Sequence, residues 1–183
     1  MIEGVTLKQL PTLKATHDAI KPYATLLEAG IDGTPFGPAD APLVLGEQVG
    51  GALPSSGSSP PRFYLMQLAH KPLLASHLTR HRRVTQCLAA LNGKSWFILL
   101  APPANNADPY AKPDMTQLAA FEVSGSQAIA LKQGTWHAGP YFLDETVDFV
   151  NLELSDTNIT DHQTVNLGVE FGLQIELLTS QTT

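Results

Sequence analysis

Short apolar segments separated by turn-forming residues follow one another from residue 62 onward. Segments rich in aliphatic and aromatic residues and bounded by Pro, Gly, Asn or Asp are typical of β-strands. They predict strands at 63–68, 73–78, 84–90, 95–101, 118–123, 127–131 and 147–154. Because no helical pattern lies between these segments, we expect an antiparallel barrel or sandwich.

The clearest alternation of apolar and polar residues lies near the end of the chain. Seven apolar residues occupy every second position from Val165 to Leu177. A period of two predicts a strand rather than a helix. This strand would be longer than usual, so we expect Gly168 or Gly172 to bend it.

The first 62 residues follow a different pattern. A short helix is predicted at 16–21, and residues 32–62 contain 12 of the 28 Gly and Pro residues of the chain. Too little remains before this segment to form a domain of its own. We therefore predict a single domain over residues 1–183, in which an N-terminal arm and a long Gly/Pro-rich loop (1–62) pack on the barrel strands (63–183).

Composition narrows the possible classes of function. The formal net charge is −6, which argues against a general nucleic-acid-binding surface. The longest apolar run, 96–103, is too short to cross a membrane, and the first residues lack the pattern of an export signal. Cys87 is the single cysteine, so an internal disulfide and a thiolate metal site are excluded. We expect a cytoplasmic protein with no nucleic-acid or membrane partner.

Two of the six histidines lie in a pattern that indicates a site. Alternate residues of a strand share one face, so Thr79 and His81 are expected to point into a barrel together. Gln86 would join them from the next strand, and His137 from a distant one. On the residues alone, an ordinary structural role for both histidines remains open.

The spacing of these residues resembles the two sequence motifs of the cupin β-barrels. The resemblance implies an all-β fold: a cupin-like antiparallel β-barrel (a double-stranded β-helix) with an N-terminal arm, a short helix and a long Gly/Pro-rich loop. The first motif is matched by Thr79, His81, Gln86 and Gly93, and the second by Gly125, Lys132, Gly134 and His137.

A narrower resemblance, over roughly residues 62–158, is to the ureidoglycolate lyase family of cupins. It implies a homodimeric enzyme that cleaves ureidoglycolate to glyoxylate and urea in purine (allantoin) catabolism. The chain departs from the family pattern at Thr79, where the family usually has Glu, and at Arg82, where it has Pro. The resemblance is carried by residues 78–81, Thr85-Gln86, the strand at 96–101, Gly134-Thr135-Trp136-His137, Pro140 and Asp148-Phe149.

Candidate roles follow from this resemblance and from residue chemistry. His81 and His137 are the candidate catalytic residues, because an imidazole exchanges protons near neutral pH. Arg83, on the face of His81 by strand parity, and Lys132 are candidates to bind the carboxylate of a small substrate. The other candidates for substrate binding are Thr79 and Gln86.

A metal site and two other functions stay open. His81, Gln86 and His137 are candidate ligands of a divalent metal, but two neutral imidazoles and an amide supply no negative charge, so we expect weak binding or none. The first alternative function is a non-catalytic cupin that binds a small carboxylate as a sensor or regulatory module, which the absence of an acid at Thr79 favours. Another metal-dependent cupin enzyme is the weaker alternative.

Overall fold

The computed structural model describes residues 4–29, 43–44 and 59–179. Strands make up most of this part of the chain. Most of the predicted Gly/Pro-rich loop at 32–62 lies outside the described residues. In the part that is described, no helix is long and apolar enough to cross a membrane.

The described residues form thirteen strands, three short α-helices and one 3-10 helix. The strands are β1 (Thr6–Lys14), β2 (Ala24–Glu28), β3 (Pro61–Ala69), β4 (Leu74–Ala75), β5 (His77–Arg80), β6 (Gln86–Ala90), β7 (Gly93–Ala101), β8 (Ala119–Gly125), β9 (Gln127–Leu131), β10 (Trp136–Tyr141), β11 (Thr146–Leu154), β12 (Gln163–Asn166) and β13 (Leu173–Leu178). The helices are α1 (His17–Ile20), α2 (Thr157–Thr160), α3 (Leu167–Phe171) and the 3-10 helix Met115–Gln117.

The strands assemble into two sheets. One has eight strands in the order β12-β5-β10-β7-β8-β1-β13-β4, and the other has five in the order β2-β9-β6-β11-β3. The sheets curl into a half-barrel, which confirms the predicted all-β fold class. Most neighbours are antiparallel, as expected, but β1 runs parallel to both β13 and β8.

β7 has apolar clusters on both of its faces. Trp96 and Ile98 pack into a cluster between the sheets, whereas Phe97 and Leu99 pack into a second cluster on the other side. All four side chains are buried. A strand buried on both faces has an uninterrupted apolar sequence rather than an alternating one, which accounts for the longest apolar run of the chain.

The prediction of one long strand over 165–177 is wrong. The structure has β12, α3 and β13 in this region. The Asn166 side chain caps α3 by accepting a hydrogen bond from the Val169 N–H at 3.0 Å, and Gly172 ends the helix with a left-handed φ of +65°. Asn before a helix and Gly after it are the usual boundary residues, and here they override the apolar alternation.

The remaining predictions agree with the structure in most elements. The helix expected at 16–21 is α1, and the strand expected at 73–78 is divided into β4 and β5. The sequence predicts no strand at β1, β2 or β10. β1 is largely exposed and includes Pro11, and Gly139 and Pro140 give β10 the sequence of a turn. The other predicted strands correspond to β3, β6, β7, β8, β9 and β11.

Gly125 marks a close approach between β8 and the start of β7. A Cβ atom there would lie 2.0 Å from the backbone carbonyl carbon of Gly93, so Gly125→Ala forces the two strands apart. We expect the substitution to lower the free energy of unfolding by about 2 kcal/mol or more, as measured by urea denaturation.

Gly168→Ala in α3 is the matched control, because its new Cβ would meet a methyl carbon of Val5 at 3.2 Å rather than backbone. An equal loss of stability in the two variants would contradict the prediction.

Candidate active site

A cavity of about 640 Å³ lies between the two sheets. The five-stranded sheet lines it with amide, phenol and carboxylate groups, and the eight-stranded sheet faces them with histidines and a threonine. Sheet curvature therefore brings together residues that are far apart in the chain. The polar residues on the first wall include Tyr64, Gln86, Asn151 and Glu153, and those on the second include Thr79, His81 and His137.

His81 and His137 form a pair, with ring centroids 5.2 Å apart. His81 Nδ1 donates to the carbonyl oxygen of Asp161 at 2.6 Å, and His137 Nδ1 donates to that of Thr135 at 3.2 Å. Because a carbonyl oxygen only accepts, each Nδ1 carries a hydrogen. In the neutral form, both rings then keep an unprotonated Nε2 as a hydrogen-bond acceptor.

Asp161 holds His81 in place at the end of β5. Its carboxylate accepts hydrogen bonds from the backbone N–H groups of Arg82 and Arg83, each at 2.7 Å. These bonds fix the turn that follows β5, and the Asp161 carbonyl fixes the imidazole itself. The same residue therefore sets both the backbone and the side chain at this point of the pocket.

Burial keeps both imidazoles neutral. Burial and, to a smaller extent, the neighbouring His81 together lower the pKa of His137 to about 3. Burial also lowers the pKa of His81, although the Asp161 hydrogen bond and the negative charges of Asp161 and Glu153 oppose that shift. At neutral pH the pair presents two weak bases rather than two cations.

Glu153 is a buried carboxylate at the centre of the opposite wall, with 0% exposure. Oε1 accepts from Arg62 Nη2 at 2.5 Å and from the Tyr64 hydroxyl at 3.0 Å. Oε2 accepts from Gln86 Nε2 at 2.9 Å. Every partner donates to Glu153, so the cluster satisfies an ionised carboxylate in the way that buried charges require.

Sequence reasoning missed Glu153, although the signal was present. Val147, Phe149, Asn151 and Glu153 occupy alternate positions of β11, and all four are buried. A carboxylate that continues the inward face of an apolar strand is unusual and is a candidate site residue.

Two more pocket residues lacked a sequence signal. The His162 ring lies 5.7 Å from that of His81. Lys71 Nζ lies 4.6 Å above the ring of Tyr141, and burial lowers its pKa. Among the described residues that line the cavity, Lys71 is the only lysine or arginine.

The structure brings four predicted site residues together and places two elsewhere. Thr79, His81, Gln86 and His137 line the cavity, whereas Arg83 and Lys132 do not. β5 ends before Arg83, so the alternation of side chains does not continue to it. The Arg83 side chain instead contacts Asp156 and Thr160, and the Lys132 side chain donates to the carbonyl oxygen of Lys21.

The donor groups do not suit a tightly held metal ion. Among the described residues, no group of three or more His, Cys, Asp or Glu side chains is arranged to bind one. Glu153 lies two residues after the inward-facing Asn151 on β11. Its carboxylate already accepts hydrogen bonds from Arg62 and Gln86.

The fold and the cavity define an all-β half-barrel with a histidine-lined pocket, the kind of pocket in which a barrel holds a small molecule. A sequence model described as ureidoglycolate lyase matches residues 55–174. The chain belongs to the ureidoglycolate lyase family.

Ureidoglycolate lyases of Salmonella are similar to the chain over 100 residues. The protein from Salmonella typhimurium strain LT2 is 28% identical, and that from Salmonella enteritidis PT4 is 27% identical. Each match covers 54% of this chain and 58% of the relative. The chain thus matches little more than half of the length of these relatives.

Two solved structures are similar over part of the chain. The dTDP-4-dehydrorhamnose 3,5-epimerase of Elizabethkingia anophelis has a TM-score of 0.36 and 14% identity, and the match covers 57% of this chain and 54% of that one. The dTDP-6-deoxy-D-glucose-3,5-epimerase of Legionella pneumophila has a TM-score of 0.34 and 17% identity, with 50% and 46% covered.

The lowered pKa of His137 makes stability depend on pH. An unfolded histidine binds a proton as the pH falls through about 6.5, whereas folded His137 stays neutral down to about 3. Stability is therefore lost as the pH falls below 6.5. We expect His137 alone to reduce the free energy of unfolding by about 2 kcal/mol between pH 7 and pH 5.

Urea denaturation at the two pH values measures this effect. His137→Gln should remove that part of the pH dependence, and His70→Gln, at an exposed position, should retain it. Equal pH dependence in the wild type and His137→Gln would show that His137 is not held neutral.

Proposed function

We propose that this protein is a ureidoglycolate lyase-like enzyme that cleaves a small ureido- or hydroxy acid, with ureidoglycolate giving glyoxylate and urea. Family membership supports the reaction class. The single structural observation that carries the proposal is the pair of buried, neutral imidazoles that offer unprotonated Nε2 atoms to the cavity. Purine (allantoin) catabolism, a cytoplasmic location and a homodimeric state are further parts of the proposal.

The reaction needs one group that both accepts and returns a proton. The base removes the proton of the carbinol hydroxyl, and the oxygen electron pair forms the C=O bond of glyoxylate. The C–N bond breaks, and the departing nitrogen takes a proton to become urea. No water is consumed, so the proton first removed can be the one that is returned.

His81 is our candidate for this base. The charges of Asp161 and Glu153 and the bond to the Asp161 carbonyl favour its protonated form, against the effect of burial. His137 has only its hydrogen bond to the Thr135 carbonyl in its favour and no carboxylate charge, and its pKa of about 3 makes it the poorer proton acceptor. We assign to His137 the role of a neutral acceptor that orients the substrate hydroxyl.

Lys71 is our candidate for the carboxylate anchor. It lines the cavity, whereas Arg83 and Lys132, the candidates that the sequence suggests for this role, do not. A substrate carboxylate beside Lys71 would also stabilise the ammonium charge that burial disfavours.

A non-catalytic cupin that binds a small carboxylate is the second candidate function. The observation in its favour is Thr79, which lines the cavity where the family usually has Glu and is hydrogen-bonded to the Thr164 hydroxyl at 2.9 Å. Such a protein would be stabilised against thermal unfolding by small carboxylates without turning them over.

Purified protein incubated with ureidoglycolate should release glyoxylate and urea in equal amounts. His81→Gln should lower kcat by roughly 10²–10⁴-fold, because it removes the proton-transfer group. His17→Gln is the control, since His17 lies in α1 at the surface and pairs with Glu28.

Release no faster than the uncatalysed background, with or without added divalent metal, would rule out the lyase. Stabilisation by ureidoglycolate in the same preparation would then favour the binding protein.

A further inference from the structure

We propose that Gln86 and Asn151 form a subsite that selects ligands with several N–H donors, such as a ureido group, through their side-chain carbonyl oxygens. The inference rests on the proposed function for the identity of the substrate. It goes further by assigning the part of the pocket that distinguishes a ureido acid from a plain hydroxy acid.

The two carbonyl oxygens are buried and unpaired. Gln86 is 8% exposed and Asn151 is 2% exposed. Within the described part of the chain, neither Gln86 Oε1 nor Asn151 Oδ1 has a hydrogen-bond partner. Buried polar atoms are nearly always paired, and both residues line the cavity, so a ligand that donates hydrogen bonds is the partner these oxygens fit.

Glu153 fixes the orientation of both amides. Gln86 Nε2 donates to Glu153, and reversing the amide would place its oxygen against a carboxylate that only accepts. Asn151 Nδ2 donates to the Tyr64 oxygen at 2.8 Å. The single hydroxyl proton of Tyr64 is given to Glu153, so it is not available to Asn151 Oδ1. Glu153 therefore acts as a positioning residue that leaves both carbonyl oxygens free.

Strand register places both amides next to Glu153, one on the same strand and one on the neighbouring strand. Asn151 and Glu153 are alternate residues on the inward face of β11. Leu152 of β11 pairs with Cys87 of β6, so the next positions, Glu153 and Gln86, lie side by side. The two carbonyl groups thus belong to one wall of the cavity.

Among the described residues, the cavity combines several acceptor atoms with one lysine. The opposite wall adds the Nε2 atoms of His81 and His137, and Lys71 supplies the positive charge. A ureido acid matches this arrangement, because it has one carboxylate and three N–H bonds. A hydroxy acid of similar size would leave both buried amide oxygens unpaired, which a binding site penalises strongly.

Three small carboxylates test this selectivity. N-carbamoylglycine carries the full ureido group and lacks the hydroxyl needed for cleavage, N-acetylglycine keeps one N–H bond, and acetoxyacetate has none. Binding is measured by isothermal titration calorimetry with EDTA present, so that a metal held by the amide oxygens makes no contribution. We expect affinity to fall in that order, by about tenfold or more from the first to the last.

Gln86→Met and Asn151→Leu remove one carbonyl each with little change in size. Each should reduce the preference for N-carbamoylglycine over acetoxyacetate to about threefold or less, while binding of acetoxyacetate changes little. Gln67→Met is the matched control, because Gln67 lies on the exposed side of β3, and it should keep the full preference. Thermal melting of each variant reports whether it is folded.

The outcomes separate this subsite from the lyase activity. Equal binding of the three compounds, no binding of any, or an unchanged preference in folded Gln86→Met and Asn151→Leu would overturn the subsite, even if ureidoglycolate were cleaved. A preference that both variants abolish would support it, even if ureidoglycolate were not cleaved.

Discussion

The pocket depends on one buried charge. Glu153 has no exposure to water, and an ionised carboxylate in that environment is tolerated only when donors surround it. Arg62 and Tyr64 of β3 and Gln86 of β6 supply these donors to a residue of β11. Three neighbouring strands are thereby tied together on the side that faces the cavity, and the direction of each hydrogen bond in the wall is set.

On the facing wall, burial keeps the basic groups uncharged. Its imidazoles have no full counter-charge in direct contact, so burial removes their positive charge rather than compensating it. The cavity therefore has a compensated anion on one sheet and uncharged bases on the other. The difference arises because Glu153 has Arg62 beside it, whereas His81 and His137 donate to backbone carbonyls.

Sequence reasoning reached most of the strands and part of the site. Thr79, His81, Gln86 and His137 converge as their spacing predicts, because strand alternation and motif spacing are local properties. Arg83 was placed by extending the alternation beyond β5, and the turn held by Asp161 ends that alternation. Lys71 and His162 enter the pocket from connecting segments, where no periodicity indicates direction. The α3 region shows the same limit, since two capping residues outweighed seven alternating positions.

The position of β1 constrains the order in which the molecule can assemble. Residues of β1 pair with residues of β13 that lie more than 160 positions later in the chain, as Gln9 does with Glu176. Closing so long a loop costs conformational entropy that local contacts do not repay. On the ribosome, β1 has no β13 partner until nearly the whole barrel has been synthesised. Although β1 is synthesised long before β13, it is therefore among the last of the described strands to complete its pairing.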